Sequence, residues 1–271
     1  MRCRAAVLGR PVAHSLSPVL HSAAYRALGL DWQFDAIDTG VPDLAGLLAS
    51  CGPEWAGFAC TMPLKRVALE LADVSSDRAV MAGAANTLLA RTGAGWSADN
   101  TDVPGMVAAL GEAGVHPASV TVLGAGGTAQ AAVVGLAAIG VARCDVLVRN
   151  VDRAGELRAA ADRAGVDLAV RKLDDDRPLA ADLVISTLPP GAADPLAGHE
   201  WKPGQAVLDV VYSPWPTRLA SAVGAAGGTV VSGALLLLHQ AGVQVELMTG
   251  RPAPVTAMRD ALRAAEPGCG V

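Results

Sequence analysis

The run Val120-Thr121-Val122-Leu123-Gly124-Ala125-Gly126-Gly127, followed by an alanine-rich stretch from Ala129 to Ile139, constrains this chain more than any other segment. Four apolar or β-branched residues read as a buried strand, the glycines as a tight turn, and the alanines as a helix packed close to the strand. Strand, glycine turn and helix in that order open a doubly wound α/β sheet. Glycine lets the backbone turn sharply and approach a pyrophosphate, whose charge then sits on N–H groups at the helix start. Gly124, Ala125, Gly126, Gly127, Thr128 and Ala129 are therefore candidate cofactor-binding residues. The spacing is GxGG, and Ala129 stands at the third position of the GxGxxG pattern, where a small residue permits close packing. A glycine-rich turn that binds nothing is the competing interpretation.

The next strand bears on which dinucleotide would sit there. A protein that selects NAD usually ends that strand with an acid for the ribose 2′-hydroxyl. Here Asp145–Val148 is followed by Arg149-Asn150-Val151-Asp152-Arg153, with no acid at the strand tip and two arginines four apart. Guanidinium groups pair with a 2′-phosphate, so Arg149 and Arg153 favour NADP, and Asn150 between them joins the candidate cofactor-binding residues. Asp152 is the counter-signal, because it could accept a hydroxyl.

Alternating apolar runs and helical periodicity extend along both sides of this segment, which favours parallel sheets with crossover helices. In the front half, strands are expected at Ala5–Leu8, Trp32–Ile37, Gly57–Thr61 and Ala85–Arg91, with a turn over Thr92-Gly93-Ala94-Gly95. Helices are expected at Ser17–Leu28, capped by Ser17 with Pro18 at its first position, and at Asp43–Ser50. In the second half, strands are expected at Val120–Leu123, Asp145–Val148, Ala169–Val170, Leu183–Ser186, Ala206–Val211 and Thr229–Val231, with helices at Asp152–Ala164 and Ala234–Thr249. The fold class is α/β in two domains. An N-terminal α/β substrate domain over 1–102 is completed by C-terminal helices over 238–271, and a doubly wound Rossmann-type NADP domain covers 103–237. Pro104 and Gly105 mark the junction.

With 271 residues, 52% hydrophobic and 17% charged, the chain is globular and has room for two domains. Its net charge of −5 argues against a nucleic-acid surface. The charged start Met1-Arg2-Cys3-Arg4 leads into an apolar run that stops at Gly9, too short for a secretion-signal core, and Ala234–Leu238 is too short to span a bilayer. Five scattered cysteines without CxxC spacing suit reduced thiols in the cytoplasm, and the five histidines share no metal-ligand spacing. The expected partners are small molecules, with neither nucleic acid, membrane nor metal, and the expected assembly is a monomer or homodimer.

The front half carries the second chemical signal. Lys65 closes the segment Thr61-Met62-Pro63-Leu64-Lys65, and an acid follows in Asp99-Asn100-Thr101-Asp102. A lysine that exchanges a proton with a substrate oxygen needs a carboxylate to aim it, so Lys65 and Asp102 are the candidate catalytic pair. Ser15 and Ser17, at the junction of a strand and a helix, offer two hydroxyls and a helix start to a small carboxylate.

Taken in order, these segments resemble the shikimate dehydrogenase family from Val7 to about Gly250. The family's G-x-P-x-x-H-S-x-S-P stands at Gly9–Pro18, its T-x-P-x-K at Thr61–Lys65, and its G-A-x-N-T at Gly83–Thr87. Its N-T-D-x-x-G is Asn100–Gly105, and D-x-x-Y-x-P-x-x-T is Asp209–Thr217. The resemblance implies reversible reduction of 3-dehydroshikimate to shikimate with NADPH, in the route to chorismate and aromatic amino acids. It implies that Ser15, Ser17, Thr61 and Tyr212 bind the substrate carboxylate region, while Asn86, Asp102 and Gln240 hold ring hydroxyls. Thr187, Val210 and Gly233 join the cofactor set, Gly233 at the nicotinamide. The chain departs from the family at Ala59-Cys60, at His21-Ser22, at Val148-Arg149-Asn150 and at Ser186-Thr187-Leu188. Other readings are a quinate or aminoshikimate dehydrogenase using NAD(P), a folate-type methylene dehydrogenase, and a non-catalytic metabolite sensor. Few aromatic residues count against the folate reading, and the presence of both Lys65 and Asp102 counts against the sensor.

Overall fold

A computed structural model describes residues 3–93, 95–173 and 179–271. The charged start at Met1 and Arg2, and Ala94 of the expected turn, lie outside the described residues. The chain divides into two α/β units: Met1–Asp102 with Leu238–Ala265, and Val103–Leu237 with Glu266–Val271.

The first unit is built on strands Cys3–Gly9 (β1), Trp32–Asp38 (β2), Trp55–Cys60 (β3), Val74–Ser75 (β4), Thr87–Ala90 (β5) and Trp96–Asp99 (β6), in the order β2-β1-β3-β5-β6-β4. Helices Ser17–Ala27 (α1), Val41–Ser50 (α2), Lys65–Glu70 (α3) and Asp77–Ala82 (α4) join them. β1 pairs in parallel with β2 and β3, as the alternating pattern implies. β5, however, runs antiparallel to both β3 and β6, so the sheet is mixed. For β5 and β6 the cause is loop length: a parallel link needs a crossover of a dozen or more residues, and Arg91–Gly95 suffices only for a hairpin, with Arg91 N–H donating to Gly95 O at 3.1 Å. The core is apolar and tightly filled, with Leu8, Phe58, Leu64 and Leu88 fully buried and Phe58 between Trp55 and Trp96 at ring separations of 4.8 and 5.2 Å. At roughly 1.5–3 kcal/mol for each such side chain, this burial holds the strand ends that carry the polar groups.

The start of α1 differs from the sequence expectation. Ser17 is itself the first helical residue, Leu16 occupies the cap position, and no side chain caps the helix. Ser17 N–H instead donates to Ser15 Oγ at 3.3 Å, which ties the two hydroxyl residues together.

The second unit holds strands Val120–Leu123 (β7), Arg143–Val148 (β8), Asp167–Lys172 (β9), Leu183–Ser186 (β10), Ala206–Asp209 (β11) and Thr229–Ser232 (β12). Their order is β12-β11-β10-β7-β8-β9 and every pairing is parallel, the doubly wound arrangement with its switch point between β7 and β10. The remaining helices are Asp102–Glu112 (α5), Gly127–Ala138 (α6), Gly155–Ala164 (α7), Arg218–Ala225 (α8), Gly233–Thr249 (α9) and Val255–Ala265 (α10). The helix expected from Asp152 begins as a 3-10 turn over Val151–Ala154, because Asn150 Oδ1 accepts from Asp152 N–H at 2.9 Å and sets a tight start. The division between the units falls at the start of α5 and within α9, while α10 packs on α1. Residues Glu266–Val271 were expected with the first unit but group with the second. Ser232 Oγ donates to Cys269 O, and Ser213 Oγ donates to Glu266 at 3.0 Å, which draws the segment there. Among the described residues, no helix is long and apolar enough to cross a membrane, and no group of three metal-ligating side chains occurs.

Candidate active site

Four of the sequence-derived residues meet in the first unit. Lys65 opens α3 and Asp102 opens α5, and Lys65 Nζ donates to Asp102 Oδ2 at 2.6 Å. The side chains are 17% and 9% exposed, so the pair is largely withdrawn from water and its attraction is weakly screened. Asp102 Oδ1 accepts from Asn86 Nδ2 at 2.8 Å, so each carboxylate oxygen has a donor. Asn86 is itself fixed: its Oδ1 accepts from Thr101 N–H at 2.7 Å, which turns its Nδ2 toward Asp102 and, at 3.2 Å, toward Gln240 Oε1. Gln240 comes from α9, far along the chain, and Thr101 Oγ1 lies 3.3 Å from its Oε1. A lysine aimed by a carboxylate and flanked by two amides can hand a proton to a substrate oxygen while the amides bind neighbouring hydroxyls.

Local sequence explains why these side chains converge. Asn100 Oδ1 accepts from Asp102 N–H at 3.2 Å and Asn100 Nδ2 donates to Ala84 O at 2.8 Å, tying the start of α5 to the loop that carries Asn86. Just before it, Asp99 receives Arg78 Nε at 2.5 Å, Arg78 Nη2 at 2.7 Å and Ser76 Oγ at 2.7 Å. Burial alone would raise the Asp99 carboxyl, but these donors outweigh it and hold its pKa below the ordinary value. Ser15 and the buried Ser17 lie at the start of α1. Thr61 follows β3, and its N–H donates to Leu8 O at 2.9 Å. Arg10 N–H donates to Met62 O at 3.0 Å, so the loop after β1 and the loop before α3 run side by side. Tyr212 belongs to the second unit, where burial first and Glu266 second raise its phenol pKa.

In the second unit, the glycine turn joins β7 to α6. Gly124 has φ +106°, and a Cβ there would stand 2.5 Å from Thr187 Oγ1, which is held by Leu123 O at 2.7 Å. Gly126 is the cap residue and Gly127 begins α6, with no side-chain cap hydrogen bond, while Ala129 is fully buried. Such a turn and helix start accept a pyrophosphate. Arg149 and Arg153 are exposed beyond β8, as charge-bearing partners of a phosphate should be. Arg149 also lines a cavity of about 310 Å³ with Leu173, Ala192, Pro195 and Leu196, apolar walls that fit a flat base. A Cβ on Gly233 would fall into the backbone of Val210, so these two segments approach as only glycine allows. The residues present therefore fit a phosphorylated dinucleotide.

Sequence reasoning missed a set of buried polar groups behind Asn86. His21 is fully buried, stacked on Phe34 at 3.9 Å, with Tyr25 Oη 3.3 Å from its Nδ1 and Gln244 Oε1 3.2 Å from its Nε2. Burial lowers its pKa to about 4 against a weaker opposing effect of Gln244. Gln244 Nε2 donates to Thr87 Oγ1 at 3.0 Å and to Asn86 O at 3.2 Å. The available signals were spacings of four, His21 with Tyr25 and Gln240 with Gln244, which put each pair on one helix face. Cys60, also buried, has its thiol pushed up to about 12 by burial, which removes it as a nucleophile.

Two α/β units, one with a partly buried lysine–carboxylate pair and the other a doubly wound sheet with a glycine turn, have the parts of a dinucleotide-dependent dehydrogenase. Comparison with known proteins narrows the class. The family model for the shikimate dehydrogenase substrate binding domain matches residues 7–88, and that for the shikimate 5′-dehydrogenase C-terminal domain matches residues 235–263. Shikimate dehydrogenase (NADP+) of Halobacterium salinarum is 38% identical over 267 residues, covering 95% of this chain and 97% of the relative. The crystal structure of Mycobacterium tuberculosis shikimate dehydrogenase is similar at 47% identity and a TM-score of 0.88, covering 97% of this chain and 99% of that one. Shikimate 5-dehydrogenase of Thermus thermophilus, solved with NADP(H) and shikimate, is similar at 34% identity and a TM-score of 0.83, with 97% and 99% covered. The chain belongs to the shikimate dehydrogenase family.

Proposed function

We propose that this chain catalyses the reversible reduction of 3-dehydroshikimate to shikimate with NADPH, in aromatic amino acid biosynthesis, with Lys65 and Asp102 as its catalytic pair. The observation that carries the reading is the Lys65–Asp102 contact at 2.6 Å, bonded through Asn86 to Gln240. In the reducing direction the Lys65 ammonium donates to the carbonyl oxygen as negative charge develops there, and Asp102 holds the lysine to that line. Asn86 and Gln240 bind ring hydroxyls, so the reacting carbon is presented in one orientation. Ser15, Ser17, Thr61 and Tyr212 bind the substrate carboxylate region. Residues 1–102 with 238–265 form the substrate half, and 103–237 the nucleotide half. There Gly124, Ala125, Gly126, Gly127, Thr128 and Ala129 hold the pyrophosphate, and Arg149, Asn150 and Arg153 hold the 2′-phosphate. Thr187, Val210 and Gly233 line the nicotinamide end. Bound NADPH supplies the hydride. Five scattered cysteines without CxxC spacing support a reducing, cytoplasmic setting, and the working assembly is a monomer or homodimer.

The test is absorbance at 340 nm on mixing the protein with shikimate and NADP. A steady rise is expected, and its absence sinks the reading. Lys65→Ala should lower kcat by about 10²-fold or more while the KM for NADP stays unchanged. Near-normal turnover in that variant would remove Lys65 from its role.

A further inference from the structure

The groups behind Asn86 form a chain whose direction can be worked out link by link. Asn86 O is a backbone carbonyl and can only accept, so the Gln244 atom 3.2 Å from it is the amide nitrogen. Gln244 Oε1 then faces His21 Nε2 at 3.2 Å, and that ring nitrogen must carry the proton. His21 Nδ1 is left as an acceptor for Tyr25 Oη at 3.3 Å. Thr101 N–H can only donate, which makes the Asn86 atom at 2.7 Å the amide oxygen and turns Asn86 Nδ2 to Asp102. Thr87 accepts from Gln244 at 3.0 Å and passes its own proton to Asn86 Oδ1 at 2.8 Å. The donors thus run one way: Tyr25 to His21 to Gln244 to Thr87 to Asn86 to Asp102. Every member belongs to the first unit. His21, Thr87 and Gln244 are at most 1% exposed, so the hydrogen bonds have little competition from water.

We propose that His21 and Gln244 are positioning residues, which fix the Asn86 amide and through it the Asp102 carboxylate that aims Lys65. The proposal rests on the function given above for the Lys65–Asp102 pair. It assigns His21 a single neutral tautomer, protonated on Nε2, because the opposite tautomer would set acceptor against acceptor at Gln244.

Thr87 is the link that can be cut most cleanly. Thr87→Val keeps the shape of the residue, and Gln244 Nε2 retains Asn86 O while Asn86 Oδ1 retains Thr101 N–H, so no buried donor loses its last partner. The expected result is a kcat for shikimate oxidation lower by about tenfold with an unchanged KM for NADP, and recovery to within about threefold of the parent in Thr87→Ser. A Thr87→Val protein with parental kcat overturns the proposal, as does a Thr87→Ser protein as impaired as Thr87→Val. Should Thr87→Val not fold, 15N–1H correlation spectra of the unsubstituted protein at neutral pH decide the matter, with His21 assigned through its contact with Phe34. An Nε2-protonated ring is expected, and an Nδ1-protonated ring overturns the chain. Failure of the unsubstituted protein to oxidise shikimate would instead count against the function, and the tautomer measurement would still judge the chain.

Discussion

His21 is an ionisable side chain with no exposed surface, flanked by the ring of Phe34 and bonded to Tyr25 and Gln244. Its pKa falls from 6.5 to about 4 because burial penalises the imidazolium. The consequence for stability has a definite sign. Between pH 6.5 and about 4 the unfolded chain binds a proton at this residue that the folded chain refuses, so stability falls as pH falls through that window. The loss runs at about 1.4 kcal/mol per pH unit, roughly 3 kcal/mol in all. Above the window the ring is neutral in both states and contributes no slope. Urea unfolding of the parent and of His21→Gln across this range measures the difference directly, with the carboxylates common to both cancelling. Parallel stability curves for the two proteins would show that the ring is protonated equally in both states.

At the scale of elements, the turn between β7 and α6 is the most exacting piece of backbone. Gly124 has φ +106°, and a Cβ would stand 2.5 Å from Thr187 Oγ1, which is itself fixed on Leu123 O. Gly124→Ala therefore meets both a disfavoured dihedral and a clash with an anchored side chain, at a cost of about 2 kcal/mol. A lower melting temperature and a raised KM for NADP are expected, with the KM for shikimate unchanged; a variant matching the parent in both respects would contradict this account of the turn. This turn was legible in the sequence because glycine, strand and helix all point the same way. β7 and β10 were legible for the same reason, being short apolar runs with clear ends. The elements from β4 to β6 were not, apart from β5. β4 has two residues and β6 four, α4 makes little more than one turn, and no window is long enough for a period to show. The antiparallel course of β5 depends on pairing partners, which periodicity does not encode. The motifs placed Lys65, Asn86, Asp102 and Gln240 in one site. The chain behind them stayed hidden because its central bond joins His21 to Gln244, 223 residues apart.

On the scale of the whole molecule, the two units are separately built, each with its own six-stranded sheet, and the proposed ligands divide between them. The groups proposed for shikimate, Lys65, Asn86, Asp102 and Gln240, are in the first, with Tyr212 the exception, whereas those proposed for the nucleotide, Gly124–Ala129 and the two arginines after β8, are in the second. A ligand that binds only the folded form stabilises it by mass action, and the amides nearest the ligand gain most protection from local opening. Hydrogen exchange followed by mass spectrometry can therefore read the division of labour without any turnover. Saturating NADP alone should slow exchange in peptides covering 124–130 and 149–154 and leave those covering 84–102 near their unliganded rates. Shikimate alone should slow 84–102 and 238–245 and leave 124–130 and 149–154 near their unliganded rates, with any effect in the second unit confined to the segment around Tyr212. The sheets differ in how much protection there is to gain. β7, whose end leads into the glycine turn, is a central strand buried throughout, so its amides already exchange slowly and the ligand signal must come from the turn itself. The loops flanking Asn86 and Asp102 lie at the ends of short strands and have more to gain. Protection by NADP confined to 84–102, with 124–130 unmoved, would remove the nucleotide from the second unit and with it the role given to the glycine turn.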